Sequence, residues 1–397
     1  MSIVSSHLRR GAAVLVGIVL LGSGLLKLVD PVGTMLIVTE YCKFLHLGFL
    51  IPVAKWLGIA ISFAEATLGV ALITGVFRKI TAICTYALLG FFTLVTLALL
   101  IANPDMDCGC FGQAIHLTHA QSVGKNLILL ILCVLAFTPF KTLEKPRKPK
   151  LVSASIVLVN ILFLALFSNY HLPLTDFTVF HMGSELYASV EEELANDNPY
   201  SPAFIYEKNG EQGSFTLDAL PDSSWTFVGP DTLSRKNPVP WVEEYPVLSF
   251  SDAEGNYKDH LAAEGIVVVF SVYDLSKISW PRLQEQTEAV LKAGGRPLVL
   301  LASYPAQAQE MGLPDSLPAY YADYKTLVTL NRSNGGVTYI SDGEVICKWG
   351  ANRIPDSEDL EKIAARNPME QLVTRSSRRR IAFQGVILYS LALLLIL

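Results

Sequence analysis

The sequence predicts an α-helical membrane bundle joined to a soluble α/β domain, and two observations predict this fold class. The 397 residues are 51% hydrophobic and 17% charged, with a mean hydropathy of +0.40, which is too apolar for an ordinary soluble protein. Residues 171–374 carry 30 acidic and 14 basic side chains, whereas the rest of the chain carries 6 and 17. An acidic soluble domain is therefore attached to a basic membrane part, and this acidity argues against nucleic acid as a partner.

Five apolar runs each approach the ~20 residues that a helix needs to cross ~30 Å of hydrocarbon. They lie at about 11–28, 52–76, 80–102, 123–140 and 151–170. The first run ends without a small-x-small cleavage site and further runs follow at once, which favours a retained helix over a signal peptide. We predict a four-helix bundle over residues 1–145 and a fifth membrane helix over 146–171.

A last apolar run of 17 residues, 381–397, follows an arginine-rich segment. It is long enough for a sixth, slightly short membrane helix. The alternatives are a helix that lies in the membrane interface, or a chain that continues in a fuller version. Residues 375–397 are therefore predicted as a transmembrane or interfacial helix.

Lysine and arginine collect before the first run, between the second and third runs, and between the fourth and fifth. They are Arg9 and Arg10; Arg78 and Lys79; and Lys141, Lys145, Arg147, Lys148 and Lys150. The positive-inside rule assigns all three clusters to the cytoplasm. The loops at 30–50 and 103–122 and the soluble domain, residues 172–374, are then expected on the periplasmic side of a bacterial inner membrane.

Cys108 and Cys110 stand one residue apart in the outer loop at 103–122. Gly109 between them can bend the chain enough for the two thiols to meet in a strained, easily reduced disulfide. A static link across one residue gains little from chain entropy, so a redox pair is favoured over a loop staple. On the oxidising side of the membrane, such a pair can exchange with partner thiols.

Glu65 is a carboxylate near the middle of the second run, where a charge is expensive and faces a bundle interior, a cavity or a partner. One interpretation is a proton relay to a quinone. The other is a buried hydrogen bond or an ion pair with Lys27, which could instead snorkel to the interface.

The remaining cysteines and two histidines have weaker functional interpretations. Cys42 is either a resolving thiol or a packed small residue, and Cys84, Cys133 and Cys347 are expected in apolar cores. His116 and His119 could complete a metal site with the thiols, but the spacing matches no zinc pattern, so we expect no metal. His119 is expected to begin the fourth helix; as a base beside a thiol it would be a further possibility.

Residues 245–366 show the order β-α-β-α-β-β-α, with a buried strand at 265–270, a late hairpin around Asp342-Gly343 and an added N-terminal hairpin at 245–259. This order resembles a thioredoxin-like domain. Where that family carries Cys-x-x-Cys, this chain reads Ser271-Val272-Tyr273-Asp274-Leu275-Ser276, and Gly336 takes the position of the family's cis-proline. The resemblance therefore implies a domain that binds or positions a partner without thiol chemistry.

Residues 11–140 resemble the four-helix DoxX and MauE membrane families. The matching residues are Ser23-Gly24-Leu25-Leu26-Lys27-Leu28, Asp30-Pro31, Glu65, Leu68-Gly69, Thr74-Gly75, Arg78 and Cys108-Gly109-Cys110-Phe111-Gly112. The resemblance implies membrane redox work: disulfide formation in exported methylamine dehydrogenase for MauE-like proteins and quinone-linked sulfur oxidation for DoxX-like ones. The bundle is also similar in plan to vitamin K epoxide reductase-like disulfide generators.

The first functional hypothesis is a thiol–disulfide oxidoreductase that acts on exported proteins, with Cys108, Cys110 and Glu65 at its centre and a quinone as the candidate acceptor. The alternative is a non-catalytic membrane scaffold whose thioredoxin-like domain binds an exported client. A transporter is disfavoured, because the runs show one mid-span charge and no inverted repeat.

Overall fold

The computed structural model describes residues 6–104, 106, 108–138, 148–186, 203–208, 211–216, 221, 224–230, 247–364, 368, 370–374, 381, 384, 385, 388 and 392. Within these residues, five helices are long and apolar enough to cross a membrane. Most of the predicted sixth membrane helix, 381–397, lies outside the described residues. The predicted domain boundary at 145 lies wholly outside them.

The five apolar runs form long helices, as predicted, and a sixth, shorter helix lies among them. In chain order the helices of the membrane domain are α1 (Ser6–Val29), α2 (Pro31–Phe44), α3 (Ala54–Thr74), α4 (Arg78–Ala102), α5 (His119–Phe137) and α6 (Lys148–Tyr170). A 3-10 segment, Gly48–Val53, leads into α3.

The expectation of an outer loop at 30–50 is wrong, because most of it is α2. The Asp30 carboxylate accepts a hydrogen bond of 2.8 Å from the Gly33 amide and caps the helix, while Pro31 occupies its first position. Both are ordinary start signals for a helix. With 14 residues, α2 is shorter than the ~20 needed to span the hydrocarbon, and hydropathy alone misses it.

Helices α1 and α3 pack backbone against backbone because glycines face the contact. A Cβ atom on Gly24 would lie 2.6 Å from the amide of Ala66 and the carbonyl of Ser62. A Cβ atom on Gly69 would lie 2.5 Å from the amide of Leu21. Small residues at such crossings let two membrane helices approach closely enough to gain dispersion energy.

Two arginines at the start of α1 join the ends of other helices. Arg10 donates to the Leu72 carbonyl at 2.9 Å, near the end of α3, and Arg9 donates to the Thr138 carbonyl at 3.1 Å, just after α5. The start of α1 and the ends of α3 and α5 therefore meet at one end of the bundle. The loop with Cys108 and Cys110 lies at the other end, where the soluble domain makes contact.

The soluble domain contains a five-stranded sheet in the order β7-β6-β5-β8-β9. Its strands are β5 (Ile266–Val272), β6 (Arg296–Leu301), β7 (Ala319–Tyr321), β8 (Gly336–Ser341) and β9 (Glu344–Trp349). Strands β5, β6 and β7 are parallel, and β8 runs antiparallel to both of its neighbours, β5 and β9. The order of β6, β5, β8 and β9 is that of the predicted thioredoxin-like core.

Helices cover both faces of this sheet. They are α7 (Trp280–Lys292), α8 (Pro305–Glu310), α9 (Tyr324–Leu330) and α10 (Ser357–Ala364). Val268 and Phe270 of β5 face the core that contains Leu283 of α7, whereas Val267 and Val269 face the core that contains Leu327 of α9. Burial on both faces explains why β5 reads as a continuous apolar run.

Two parts of the soluble domain differ from the prediction or lie beyond it. The expected hairpin at 245–259 is wrong as a pair of strands: within the described residues, it is reduced to a bridge between Ser251 and Tyr257 around a turn held by Asp252. A three-stranded antiparallel sheet was not predicted. Its strands are β2 (Ala203–Lys208), β3 (Glu211–Thr216) and β4 (Thr226–Pro230), in the order β3-β2-β4.

The helix crossing predicts a large difference between two neighbouring glycines. Gly24→Val should lower the melting temperature of the detergent-solubilised protein by several degrees, because the new side chain would force α1 and α3 apart. Gly22→Val is the matched control, since a Cβ atom at Gly22 meets nothing within 4 Å. Equal melting temperatures for the two variants would contradict this packing.

Candidate thiol site

The candidate site is the segment 108–113, here called the thiol loop, which lies between α4 and α5 and includes strand β1 (Cys110–Gln113). The backbone at Gly109 has a φ of +57°, and a side chain there would also collide with Ile37 of α2. Glycine is therefore required at this position for two reasons. The hydroxyl of Tyr41 donates to the Cys108 carbonyl, and the Ser23 hydroxyl donates to the Cys110 carbonyl at 2.7 Å.

Both thiols are free and they have different environments. Cys108 is only 1% exposed, whereas Cys110 is half-buried. A hydrogen bond from the Cys108 thiol, together with the charges of Lys125 and Lys27, lowers the pKa of Cys110 to about 5. Donating that hydrogen bond, and burial, raise the pKa of Cys108. Cys110 is therefore the thiolate of the pair at neutral pH, and thiolates are the reactive form.

His119, the first residue of α5, faces the buried thiol. Its Nδ1 lies 3.3 Å from Sγ of Cys108, and its Nε2 lies 3.2 Å from the carbonyl oxygen of Pro104. A carbonyl can only accept, so Nε2 carries a hydrogen and Nδ1 is the position that gains or loses a proton. The capping box of Thr118 and Gln121 fixes the start of α5 and hence the imidazole.

Glu65 is 1% exposed and forms an ion pair with Lys27, whose Nζ lies 2.8 and 2.9 Å from the two carboxylate oxygens. The Ser23 hydroxyl, which donates to Cys110, also lies 3.0 Å from Oε2 of Glu65. Of the two interpretations of Glu65, the ion pair is therefore present. The Ser23 hydroxyl is the only group between this ion pair and the backbone of Cys110 among the contacts described above. The proton-relay interpretation of Glu65 stays a proposal.

A cavity of about 240 Å³ connects these groups inside the bundle. Cys108, Cys110, Lys27 and Glu65 line its polar side. The rest of the wall is mostly apolar and includes Ile37, Val38, Leu57, Ile61, Phe91 and Phe92. An apolar pocket with a few convergent polar groups is the usual form of a small-molecule site.

The other candidate residues have mixed outcomes. Cys42 is buried and lines the same cavity as the thiol pair, and Cys133 is in the apolar core, as expected. Cys84 is exposed on α4, so the expectation of core packing is wrong there. Cys347 is buried in β9. Among the residues that the structure describes, no group of three potential metal ligands occurs, and His116 is exposed.

Sequence reasoning missed the roles of Ser23, Tyr41, Lys125 and Arg332. Ser23 and Lys27 are four residues apart on α1, so they share the face that meets Glu65; this spacing could have revealed the contact. Lys125 interrupts the apolar run of α5 two turns after His119, where its ammonium lies 5.2 Å from the centre of the Phe111 ring. Tyr41 and Arg332 carry no local signal, because their partners are distant in the sequence.

The family model of the methylamine utilisation protein MauE matches residues 5–139, a segment that contains α1 to α5 and the thiol loop. Within the membrane domain, the part from α1 to α5 is therefore similar to MauE. A second match, to a domain of unknown function (DUF8463), covers residues 200–235 and includes the small antiparallel sheet.

Protein TlpB of Flavobacterium psychrophilum is 28% identical to this chain over 194 residues, which cover 48% of this chain and 52% of that protein. The match thus spans about half the length of this curated relative. No solved structure matches the chain significantly. The MauE-like bundle is therefore followed by a mixed α/β domain in one multi-pass membrane protein.

The hydrogen bond between the two thiols predicts an unusual pH profile for alkylation. In the reduced protein, iodoacetamide should label Cys110 with a half-maximal rate near pH 5, because its thiolate persists at that pH. Peptide mass spectrometry after labelling from pH 4 to pH 10 measures this profile. The denatured protein is the control, with the midpoint at about 8.5 that is usual for a thiol. A midpoint near 8.5 in the folded protein would contradict the assignment.

Proposed function

We propose that this protein is a membrane thiol–disulfide oxidoreductase, which oxidises exported proteins through Cys108 and Cys110 and passes the electrons to a lipid-soluble acceptor. The observation that carries the proposal is the pairing of half-buried Cys110 with buried Cys108, without a disulfide between them, in the wall of an apolar cavity. The MauE-like bundle supports it, since a bundle of that family is where a membrane redox pair is expected.

The cavity fits a quinone better than a water-soluble acceptor. Its walls are mostly apolar, and its polar side brings the ammonium of Lys27 and the carboxylate of Glu65 beside the two sulfurs. A bound quinone would accept two electrons and two protons when the pair becomes a disulfide. Ile37, Phe91 and Phe92 would hold an apolar ring, and Lys27 and Glu65 would hold or move a proton at its oxygens.

Oxidation of a client begins with the disulfide form of the pair. A client thiolate attacks Sγ of Cys110, the more exposed sulfur, and the bond between Cys108 and Cys110 breaks. Cys108 leaves with the electron pair and takes a proton from His119. The second client thiolate then attacks the client sulfur, forms the client disulfide and releases Cys110 as a thiolate. The low pKa of Cys110 makes it a good leaving group.

Reoxidation requires the buried thiol to lose its proton. Cys108 gives that proton to Nδ1 of His119, which lies 3.3 Å away. The bond between the two sulfurs forms again, and two electrons leave the pair for the acceptor. His119 returns this proton to Cys108 in the next turnover, so the two protons that the acceptor takes up are those that the client released when its two thiols became a disulfide; they can reach the cavity through Lys27 and Glu65. His119 thus compensates for the raised pKa of Cys108.

The proposed site of action is the periplasmic face of a bacterial inner membrane. The arginines of α1 lie at the end of the bundle opposite the thiol loop, and the positive-inside rule puts such clusters in the cytoplasm. The thiol loop and the soluble domain would then face the oxidising compartment, where exported client proteins acquire disulfides.

Single cysteine variants test the proposed order of attack. Cys108→Ser should accumulate a mixed disulfide with client proteins whose disulfides the Cys110 thiolate attacks, because Cys108 is no longer there to release the client by attack on Cys110, whereas Cys110→Ser should accumulate none. Both should stop oxidation of exported thiols. Non-reducing gels of cells that carry each variant measure both effects, and Cys84→Ser is the control on α4. Normal client oxidation in the double serine variant would instead favour the scaffold alternative.

Replacing the imidazole tests its role as the base. His119→Gln can keep a donor near the Pro104 carbonyl but removes the Nδ1 acceptor. We expect reoxidation of the reduced pair to slow by about 10²–10⁴-fold at neutral pH, as is typical when a positioned base is lost. The rate should then rise with pH, because the reaction depends on the small fraction of Cys108 that ionises without help. A stopped-flow assay with a soluble quinone measures this, and an unchanged pH–rate profile would contradict the role.

A further inference from the structure

Arg332 of the soluble domain reaches the thiol loop of the membrane domain. It lies between α9 and β8, and its side chain is only 4% exposed. Its Nε donates to Oδ2 of Asp30 at 3.0 Å, and its Nη2 lies 2.9 Å from the same oxygen in an ion pair. Nη2 also donates to Oε1 of Gln113 at 2.9 Å. Gln113 ends strand β1, which begins at Cys110.

The buried contact is built for an arginine. Asp30 uses one carboxylate oxygen to cap α2 and gives the other to Arg332, and Nη1 of Arg332 donates to the Val328 carbonyl at 2.9 Å. A side chain at Gly33 would approach Nη2 to 3.0 Å, so glycine leaves room for the guanidinium. Only a planar fork of several donors can bind an aspartate, an amide and a carbonyl at once.

The thiol loop is thus held at three points. The membrane domain holds two of them, through Tyr41 at the Cys108 carbonyl and Ser23 at the Cys110 carbonyl. The soluble domain holds the third, through Arg332 at Gln113. Strand β1 is therefore fixed at both ends by different domains.

Arg332 comes from the part of the soluble domain where thioredoxin-like proteins keep their chemistry. The Asn334 side chain accepts hydrogen bonds of 2.8 Å from the amides of Tyr273 and Asp274, at the position of the missing Cys-x-x-Cys. Tyr273 donates to the Arg332 carbonyl at 3.1 Å, and the Gly335 amide donates to the Ser271 carbonyl at 2.7 Å. This thiol-free edge of the domain is thus the support from which Arg332 extends.

We propose that Arg332 is a positioning residue through which the soluble domain holds Cys110 in its reactive place. The groups that lower the pKa of Cys110 are the Cys108 thiol and the charges of Lys125 and Lys27, all of the membrane domain. Arg332 acts on none of them by contact; it fixes the strand that presents Cys110 to them. The soluble domain then positions the thiol loop of its own chain. This inference rests on the proposed role of Cys110 as the reacting thiolate.

Alkylation of Cys110 in the reduced, full-length protein tests the inference without client or quinone. Arg332→Met and Gln113→Ala should each raise the pH of half-maximal labelling by about one unit or more, because a loosened strand lengthens the contacts that favour the thiolate. The double variant should shift it no further, since both changes remove one contact. Arg332→Lys can keep the ion pair with Asp30 but cannot also bind Gln113 as the planar guanidinium does, so its pH of half-maximal labelling should be intermediate.

Lys325→Met is the matched control, because Lys325 forms the exposed ion pair with Glu40 at 3.2 Å between the same two domains. It should leave the midpoint unchanged. If Arg332→Met fails to fold, the midpoint of Gln113→Ala decides the test, because that variant keeps the buried ion pair between Arg332 and Asp30. A parental midpoint for folded Gln113→Ala overturns the inference, and so do additive shifts in the double variant. Normal client oxidation in variants that show these shifts would count against the proposed function alone.

Discussion

The buried ion pair between Lys27 and Glu65 is the interaction on which the thiol site depends. Neither charge can stay alone in an apolar bundle, and removing one partner of such a pair typically costs about 3–5 kcal/mol. The pair therefore fixes the rotation and height of α1 against α3. Ser23 lies one turn before Lys27 and connects Glu65 to the backbone of Cys110. The thiol loop is therefore aligned by a charge pair within the membrane domain.

This pair is possible only because the two helices approach closely. Gly24 lies between Ser23 and Lys27 and meets the backbone at Ala66, the neighbour of Glu65. The stem of Lys27 then packs under Gly112 of the thiol loop, and its ammonium lies 5.5 Å from the centre of the Phe92 ring. The small residues that bring the helices together also create the space into which the loop fits. Helix packing and the placement of the thiol loop are thus set by the same few positions.

The sequence predicts the parts of this fold that follow from local periodicity. The five long helices, the Cys108 and Cys110 pair and the order of the central strands follow from hydropathy, spacing and turn residues. Helix α2 was missed because a search for membrane spans overlooks a 14-residue helix, although Asp30 and Pro31 mark its start. The prediction of a hairpin at 245–259 is wrong because the Asp252 carboxylate accepts hydrogen bonds from the amides of the turn, in place of a partner strand. Contacts between distant segments, such as Arg332 with Asp30, have no local pattern to read.

The contact between Arg332 and Asp30 gives a physical reason for a thioredoxin-like domain without thiols. Two fixed charges that are buried together specify one relative arrangement, because any displacement leaves both without a partner. A reactive thiol pair on this edge would compete with the thiol loop for electrons and would need access to clients. With Asn334 holding the edge rigid, the same scaffold instead presents a single arginine at a defined place. The domain has the strand order of a thioredoxin-like fold, and the proposed thiol chemistry lies in the membrane domain.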